Sequence, residues 1–402
     1  MLKDNKIFIE DFLRKIDKVE KIEDISLASG VAGYILILTN LYYYTKSESF
    51  IQIIKRLIES IDVNEIELTP SNMGLWTGPL GLSFALSKLN EVYFDDQIKS
   101  YNNEIYLQIR PILIYWATLG PNKLNIDYKF DLLFGISGVF EYIVTTKWIK
   151  KDPLLFELYN EQIDKILNCT PNEILSVRKR SGNNFFPNEL ILGEDFFYNI
   201  SIAHGALGFC VSLFKLRYLF PNQKERIETF IYSISNILEK NVFTDKNLEQ
   251  KTFPNIISIN DYESYSIQNI RKNVNYSWCN GMVGLIIYAK QCGKNLYFSN
   301  LFSSLRKSTD DLLLNINHKK YYQNLCMCHG HAGNIYCVFR YENIKKYKRN
   351  QFVKYLSNNY LTKEIPVDAD SFSLLDGYGG VLLINLSLLY NKPFIGDNIL
   401  GY

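Results

Sequence analysis

The chain has 402 residues, 47% of them hydrophobic and 21% charged, with a formal charge of +2 at neutral pH. That balance fits a globular protein with a large core and gives no reason to expect nucleic acid or an anionic membrane as a partner. No apolar run approaches the roughly 18–20 residues of a membrane span, and the opening MLKDNKIFIEDFLRKIDK is amphipathic, without the apolar core of an export signal. A cytoplasmic protein is expected. Its seven cysteines (169, 210, 279, 292, 326, 328 and 337) should then be reduced, and an odd number also argues against a complete disulfide framework.

Along the chain, a Gly-x-x-Gly unit followed by an apolar stretch recurs seven times. In order these are SGVAGYILIL, TGPLGLSFAL, FGISGVFEYI, HGALGFCVSL, NGMVGLIIYA, HGHAGNIYCV and DGYGGVLLIN. Their first glycines fall at 30, 78, 135, 205, 281, 330 and 377, at spacings of 48, 57, 70, 76, 49 and 47 residues. A single unit of this kind carries no signal, but seven in the same phase mark an internal repeat. Each glycine pair predicts a loop that enters a tightly packed helix, because glycine lets neighbouring backbones approach closely.

Two kinds of helix alternate. After Gly208, the run Phe209, Val211, Leu213, Phe214, Leu216 and Tyr218 suits a helix buried on most sides. In NQKERIETFIYSISNILEKN, by contrast, Ile227, Phe230, Ile231, Ile234, Ile237 and Leu238 recur at three- and four-residue intervals, as on an amphipathic outer helix. Strand-like alternation is scarce. Seven outer and inner helix pairs in one domain spanning residues 1–402 are therefore expected, stacked as a solenoid or closed into an all-α α/α toroid. The longest intervals hold polar stretches, SVRKRSGNNFFPNE and TDKNLEQKTFPNIISINDYES, read as loops over one face.

The repeat phase aligns the chain with itself. Two residues before the first glycine stand Ala28, Trp76, Leu133, Ala203, Cys279, Cys328 and Leu375. One residue before it stand Ser29, Thr77, Phe134, His204, Asn280, His329 and Asp376. Cysteines at equivalent places in neighbouring repeats should face each other, with His329 beside the second. Two sulfurs and one nitrogen with an open fourth position is the design of a catalytic zinc site. Three buried, inert side chains, or a Cys326–Cys328 redox pair, are the other readings. Cys326 has only Ser277 as its equivalent in repeat five, and His331 inside the turn is left to orient a ligand or point elsewhere. Cys210, Cys292 and Cys337 read as small buried hydrophobes.

The motifs SIAHGALG, SWCNGMVG and CMCHGHAG, in that order, resemble the A-H-G, W-C-x-G and C-H-G motifs of the lanthionine synthetase C (LanC) family. The resemblance implies an α/α toroid with one zinc ion per chain, held by Cys279, Cys328 and His329. It also implies a cyclase of dehydrated lanthipeptide precursors. A peptide cysteine would add to dehydroalanine or dehydrobutyrine to form a thioether ring, and zinc would draw the proton from a thiol whose free pKa is about 8.5. His204 would be the acid that protonates the product, with a free pKa of about 6.5 suited to that work. Asp131, four residues before Gly135, matches an acidic residue near the family's active site and would orient His204 or handle protons; a plain helix cap is its other reading.

Two positions depart from the family pattern. Asn275 and Asn280 stand where arginine and tyrosine are frequent, four residues before and one after the first zinc cysteine. Arg271 is a candidate replacement, Trp278 reads as packing, and His318 lies outside every motif. The implied partners are the precursor with its leader peptide, a separate dehydratase and an ABC exporter, with the cyclase peripheral at the membrane through them. The alternative function is a non-catalytic LanC-like zinc protein that binds thiol peptides or glutathione as a scaffold. A toroidal protein prenyltransferase subunit ranks below both, because it lacks the sevenfold glycine pattern.

Overall fold

The structure is a computed structural model that describes residues 9–10, 12–14, 16, 24–66, 68–69, 72–124, 129–178, 196–240, 243–245, 250–252, 256–258, 276–292, 298–314, 325–361 and 373–402. Each of the seven glycine units opens a helix: α1 (Val31–Thr45), α3 (Pro79–Asn90), α5 (Ile136–Thr146), α7 (Ala206–Leu216), α9 (Met282–Gln291), α11 (His331–Tyr341) and α13 (Tyr378–Tyr390). Between them run α2 (Glu48–Glu59), α4 (Asp96–Thr118), α6 (Pro153–Leu167), α8 (Lys224–Lys240), α10 (Phe298–Leu314) and α12 (Lys346–Leu356). Among the described residues no helix is long and apolar enough to cross a membrane.

The two helix types differ as their sequences require. In α7 every residue from Ala206 to Leu213 is buried, so no solvent face exists to give it amphipathic periodicity. Phe214 is half-buried, and Tyr218 lies exposed beyond the helix end. In α8 the six apolar residues picked out by their spacing, Ile227, Phe230, Ile231, Ile234, Ile237 and Leu238, are all buried. Burying each such side chain contributes about 1.5–3 kcal/mol, so the stripe fixes which way the helix faces.

Two compact units divide the chain: Met1–Arg110 with Arg306–Leu400, and Pro111–Leu305 with Gly401–Tyr402. Within the first, backbone hydrogen bonds join the loops before the inner helices. Cys328 N–H donates to Leu375 O at 3.0 Å, Leu374 N–H to Ala28 O at 2.7 Å, and Leu27 and Ala28 N–H to Trp76 O at 3.1 Å. Repeats six, seven, one and two are thus neighbours in that order, and the last repeat sits directly against the first. Asn40 reinforces the join: it donates to Ile395 O at 3.1 Å and accepts from Ile395 N–H at 2.6 Å. The second unit repeats the scheme, with Leu132 N–H on Ala203 O at 2.9 Å and Ile202 N–H on Cys279 O at 3.1 Å.

The glycines are needed for space. All seven first glycines have negative φ and extended backbone. What excludes a side chain is the loop itself, which curls back on them. A Cβ on Gly78 would overlap the carbonyl oxygen of Asn72, and one on Gly208 that of Ile202, each six residues upstream. The second glycine also makes room for the preceding repeat: a Cβ on Gly208 would meet Leu132 Cβ at 3.4 Å, and one on Gly380 would meet Met327 Cβ at 3.0 Å.

The polar intervals differ from the loops expected of them. Short strands occur there: β1 (Ser176–Arg178), β2 (Phe196–Asn199), β3 (Phe243–Asp245), β4 (Gln250–Thr252) and β5 (Ile256–Ser258). β1, β2 and β5 form an antiparallel sheet in that order, with Val177 opposite Phe197 and Tyr198 opposite Ile257, and β3 pairs with β4. Three- and four-residue strands are too short to leave an alternation visible in sequence. β2 runs directly into the loop that carries His204.

Gly208→Ala should destabilise the protein by at least about 1–3 kcal/mol, since loop and neighbour must both move. Gly120→Ala, where a Cβ meets only the Asn122 side chain, should stay within about 0.5 kcal/mol of wild type. Thermal unfolding of both variants checks this.

Candidate metal centre

One device closes most of the helix entrances. The residue four before the first glycine accepts the backbone N–H of the residue just before that glycine. Ser201 Oγ takes His204 N–H at 3.1 Å, Ser277 Oγ takes Asn280 at 3.3 Å, Cys326 Sγ takes His329 at 3.2 Å, and Ser373 Oγ takes Asp376 at 3.2 Å. Ser26 does the same for Ser29 at 3.3 Å. This is local side-chain capping of a turn, for which serine is well suited.

In repeat three the same place is held by Asp131. Its Oδ1 accepts from Phe134 and Gly135 N–H at 2.5 and 3.1 Å, as a serine would. Aspartate has a second oxygen, and Oδ2 lies 2.9 Å from His204 Nδ1. Asp131 thus caps the turn with one oxygen and meets His204 with the other. Asp131 is 1% exposed and the His204 side chain 20%. A carboxylate on Nδ1 assigns the proton there and gives proton exchange to Nε2. The Phe134 ring stacks on the imidazole at 5.8 Å and 13°, which fixes its plane.

Cys279 belongs to the same unit. Its carbonyl oxygen accepts from both Ile202 and Ala203, so the His204 loop hangs on the Cys279 loop. Cys328 and His329 lie in the loop of repeat six, where Cys326 caps the turn from below and Leu375 takes the Cys328 N–H. His329 Nε2 is 3.0 Å from Asp376 Oδ1.

One ligand atom each from Cys279, Cys328 and His329 forms a group whose members all lie within 4.8 Å of one another. Both cysteines are buried, at 3% and 4% exposure, and the histidine is exposed. The donor set fits zinc: two thiols and an imidazole are its usual protein ligands, and Zn–S bonds of about 2.3 Å at tetrahedral angles need sulfurs only about 3.8 Å apart. Three protein donors leave a fourth position for something else.

The remaining candidates fall outside this group. Cys326 is wholly buried and used by its turn. Cys210 and Cys337 are buried in inner helices, Cys292 ends α9, and burial pushes the Cys210 and Cys292 thiols up, so both stay protonated. His331 points elsewhere, its Nδ1 against the Tyr355 hydroxyl, and burial holds its pKa down at about 4. Trp278 is buried packing, and Asn280 is half-buried. Arg271, Asn275 and His318 lie outside the described residues.

A family model described as lanthionine synthetase C-like protein matches residues 21–396, nearly the whole chain. The chain belongs to that family. Among solved structures it is similar to nisin cyclase, with a TM-score of 0.70 at 19% identity, over 99% of this chain and 96% of that one. At that identity the likeness bears on fold, and the fold is the expected α/α toroid. Among curated protein sequences none matches.

Two contacts at this LanC-like site were not anticipated from sequence, those of Phe134 with His204 and of Asp376 with His329. Both residues occupy the same column of the repeat as the two histidines, so the signal was present, but the column does not say which neighbours touch.

Asp131→Ser should keep the turn and so remain within about 1 kcal/mol of wild type, while freeing His204. Asp131→Ala should lose the turn as well and cost about 1–2 kcal/mol. Thermal unfolding separates the two, and a long-range 1H–15N spectrum should show the His204 Nδ1 proton assignment lost in both.

Proposed function

We propose that this protein is a zinc-dependent lanthipeptide cyclase that closes thioether rings in a dehydrated precursor peptide. The observation that carries the reading is the group of two buried thiols and one imidazole, in a LanC-like chain, with a second histidine oriented by a carboxylate in the adjoining loops. The name of the structural relative, nisin cyclase, points to the same class of substrate.

Cys279, Cys328 and His329 would hold the zinc. When bound, it supplies Lewis acidity that keeps a peptide thiol deprotonated at neutral pH. The rest falls to the chain. Sulfur attacks the β-carbon of dehydroalanine or dehydrobutyrine, a C–S bond forms, and the π electron pair moves onto the carbonyl as an enolate. His204 delivers a proton from Nε2 to the α-carbon. Asp131, against Nδ1, holds the ring in place with Nε2 left to donate. The thiol proton lost at the start balances the proton gained at the end, so the reaction is a net isomerisation. The dehydratase and the exporter belong to the same proposal as partners that supply the substrate and remove the product.

One observation favours a second reading, a non-catalytic zinc protein that binds thiol peptides: Asn280, in the loop of Cys279, offers no phenol for proton handling. A dehydrated peptide bearing one cysteine separates the two. Incubated at mildly acidic pH, its thiol should become inaccessible to alkylation without change of mass. His204→Asn should slow closure by about 100-fold or more while zinc content is kept. Binding of the peptide with its thiol left alkylatable supports the scaffold instead, and an unchanged rate in His204→Asn removes that residue from the chemistry.

A further inference from the structure

We propose that Asp376 is the residue that positions His329 for metal binding, committing Nε2 as a donor so that Nδ1 presents its lone pair to the metal. This rests on the reading that Cys279, Cys328 and His329 hold zinc.

The placement comes from the repeat. Cys328 N–H bonds to Leu375 O at 3.0 Å, which brings the loops of repeats six and seven into register two residues before their glycines. The residues one step further on, His329 and Asp376, are then side by side, and His329 Nε2 lies 3.0 Å from Asp376 Oδ1. In repeats three and four a bond one residue earlier, from Leu132 N–H to Ala203 O, likewise joins the loops, and Phe134 lies against His204. Two adjacent pairs of loops thus give each histidine a neighbour from the equivalent place. Asp376 is itself fixed: Ser373 Oγ takes its N–H at 3.2 Å, and Cys326 Sγ lies 3.8 Å from its Oδ1.

Both side chains of the pair are largely exposed, at 50% and 61%, so as a surface ion pair it adds little to stability. Its use lies in the metal site. An imidazole has two nitrogens, and a neutral one carries its proton on either. A carboxylate accepting from one nitrogen settles the tautomer, holds the ring's orientation and makes the other nitrogen a better ligand; losing such a partner typically weakens metal affinity 10–100-fold.

Zinc affinity, measured by competition with a chromophoric chelator, tests the inference in wild type, Asp376→Ala and Asp376→Asn. Asp376→Ala should bind about 10–100-fold more weakly, and Asp376→Asn should lose less, since its amide oxygen still accepts from Nε2–H. The metal-free variants should melt within about 1 kcal/mol of wild type. A long-range 1H–15N spectrum of zinc-loaded wild type should show His329 protonated at Nε2. Affinity in Asp376→Ala within about twofold of wild type, or protonation of His329 at Nδ1, would overturn the assignment while leaving the metal site standing. Wild-type protein that binds no zinc would overturn the metal reading and the inference together.

Discussion

Close backbone approach at the helix entrances governs everything else in this fold. Each loop folds back so that a carbonyl six residues upstream rests where a side chain on the glycine would be, as Asn72 does at Gly78 and Ile202 at Gly208. The tight turn then exposes a carbonyl two residues before the glycine, which accepts from the loop of the preceding repeat: Trp76, Ala203, Cys279, Leu375 and Ala28 all serve in this way. Space for backbone, not left-handed φ, is what glycine provides here. The pairing of the last repeat with the first closes the series that a solenoid would leave open.

The candidate site is set into this frame by substitution at three places. Four residues before the glycine, serine stands in four repeats and is replaced by Gly74, Asp131 and Cys326 in the other three. The aspartate keeps the serine's hydrogen bonds and adds a bond to His204. Two residues before it, cysteine replaces apolar residues at 279 and 328, where the backbone is already fixed by neighbouring loops. One residue before it stand His204, His329, Phe134 and Asp376, the groups most open to solvent. Position in the repeat thus sets how deeply each group sits: thiols buried, imidazoles at the surface of the loops.

Much of this was legible in the sequence because repetition supplies its own alignment. The inner helices were marked by Gly-x-x-Gly and by unbroken apolar runs such as that after Gly208, the outer ones by spacings such as Ile227, Phe230, Ile231 and Ile234. The cysteine pair and its histidine could be singled out because Cys279 and Cys328 share one column. The short strands could not, since Ser176–Arg178 and Ile256–Ser258 carry too few residues for a period to register and are set by pairing across distant segments. The side-chain partners were hidden for a similar reason. That Asp131 reaches His204, or Asp376 reaches His329, depends on hydrogen-bonded register between loops about 50–70 residues apart, which no local pattern encodes.

Zinc content per chain decides whether two equivalent cysteines and one histidine hold a metal. Elemental analysis of purified wild type should give about one zinc per chain. Cys279→Ala and Cys328→Ala should each lose most of it, while Cys326→Ser, which changes a neighbouring thiol but keeps its turn capped, should retain it. Folded wild-type protein without zinc, or full zinc retention in Cys279→Ala, would contradict the metal centre and leave a toroid with no metal chemistry to explain.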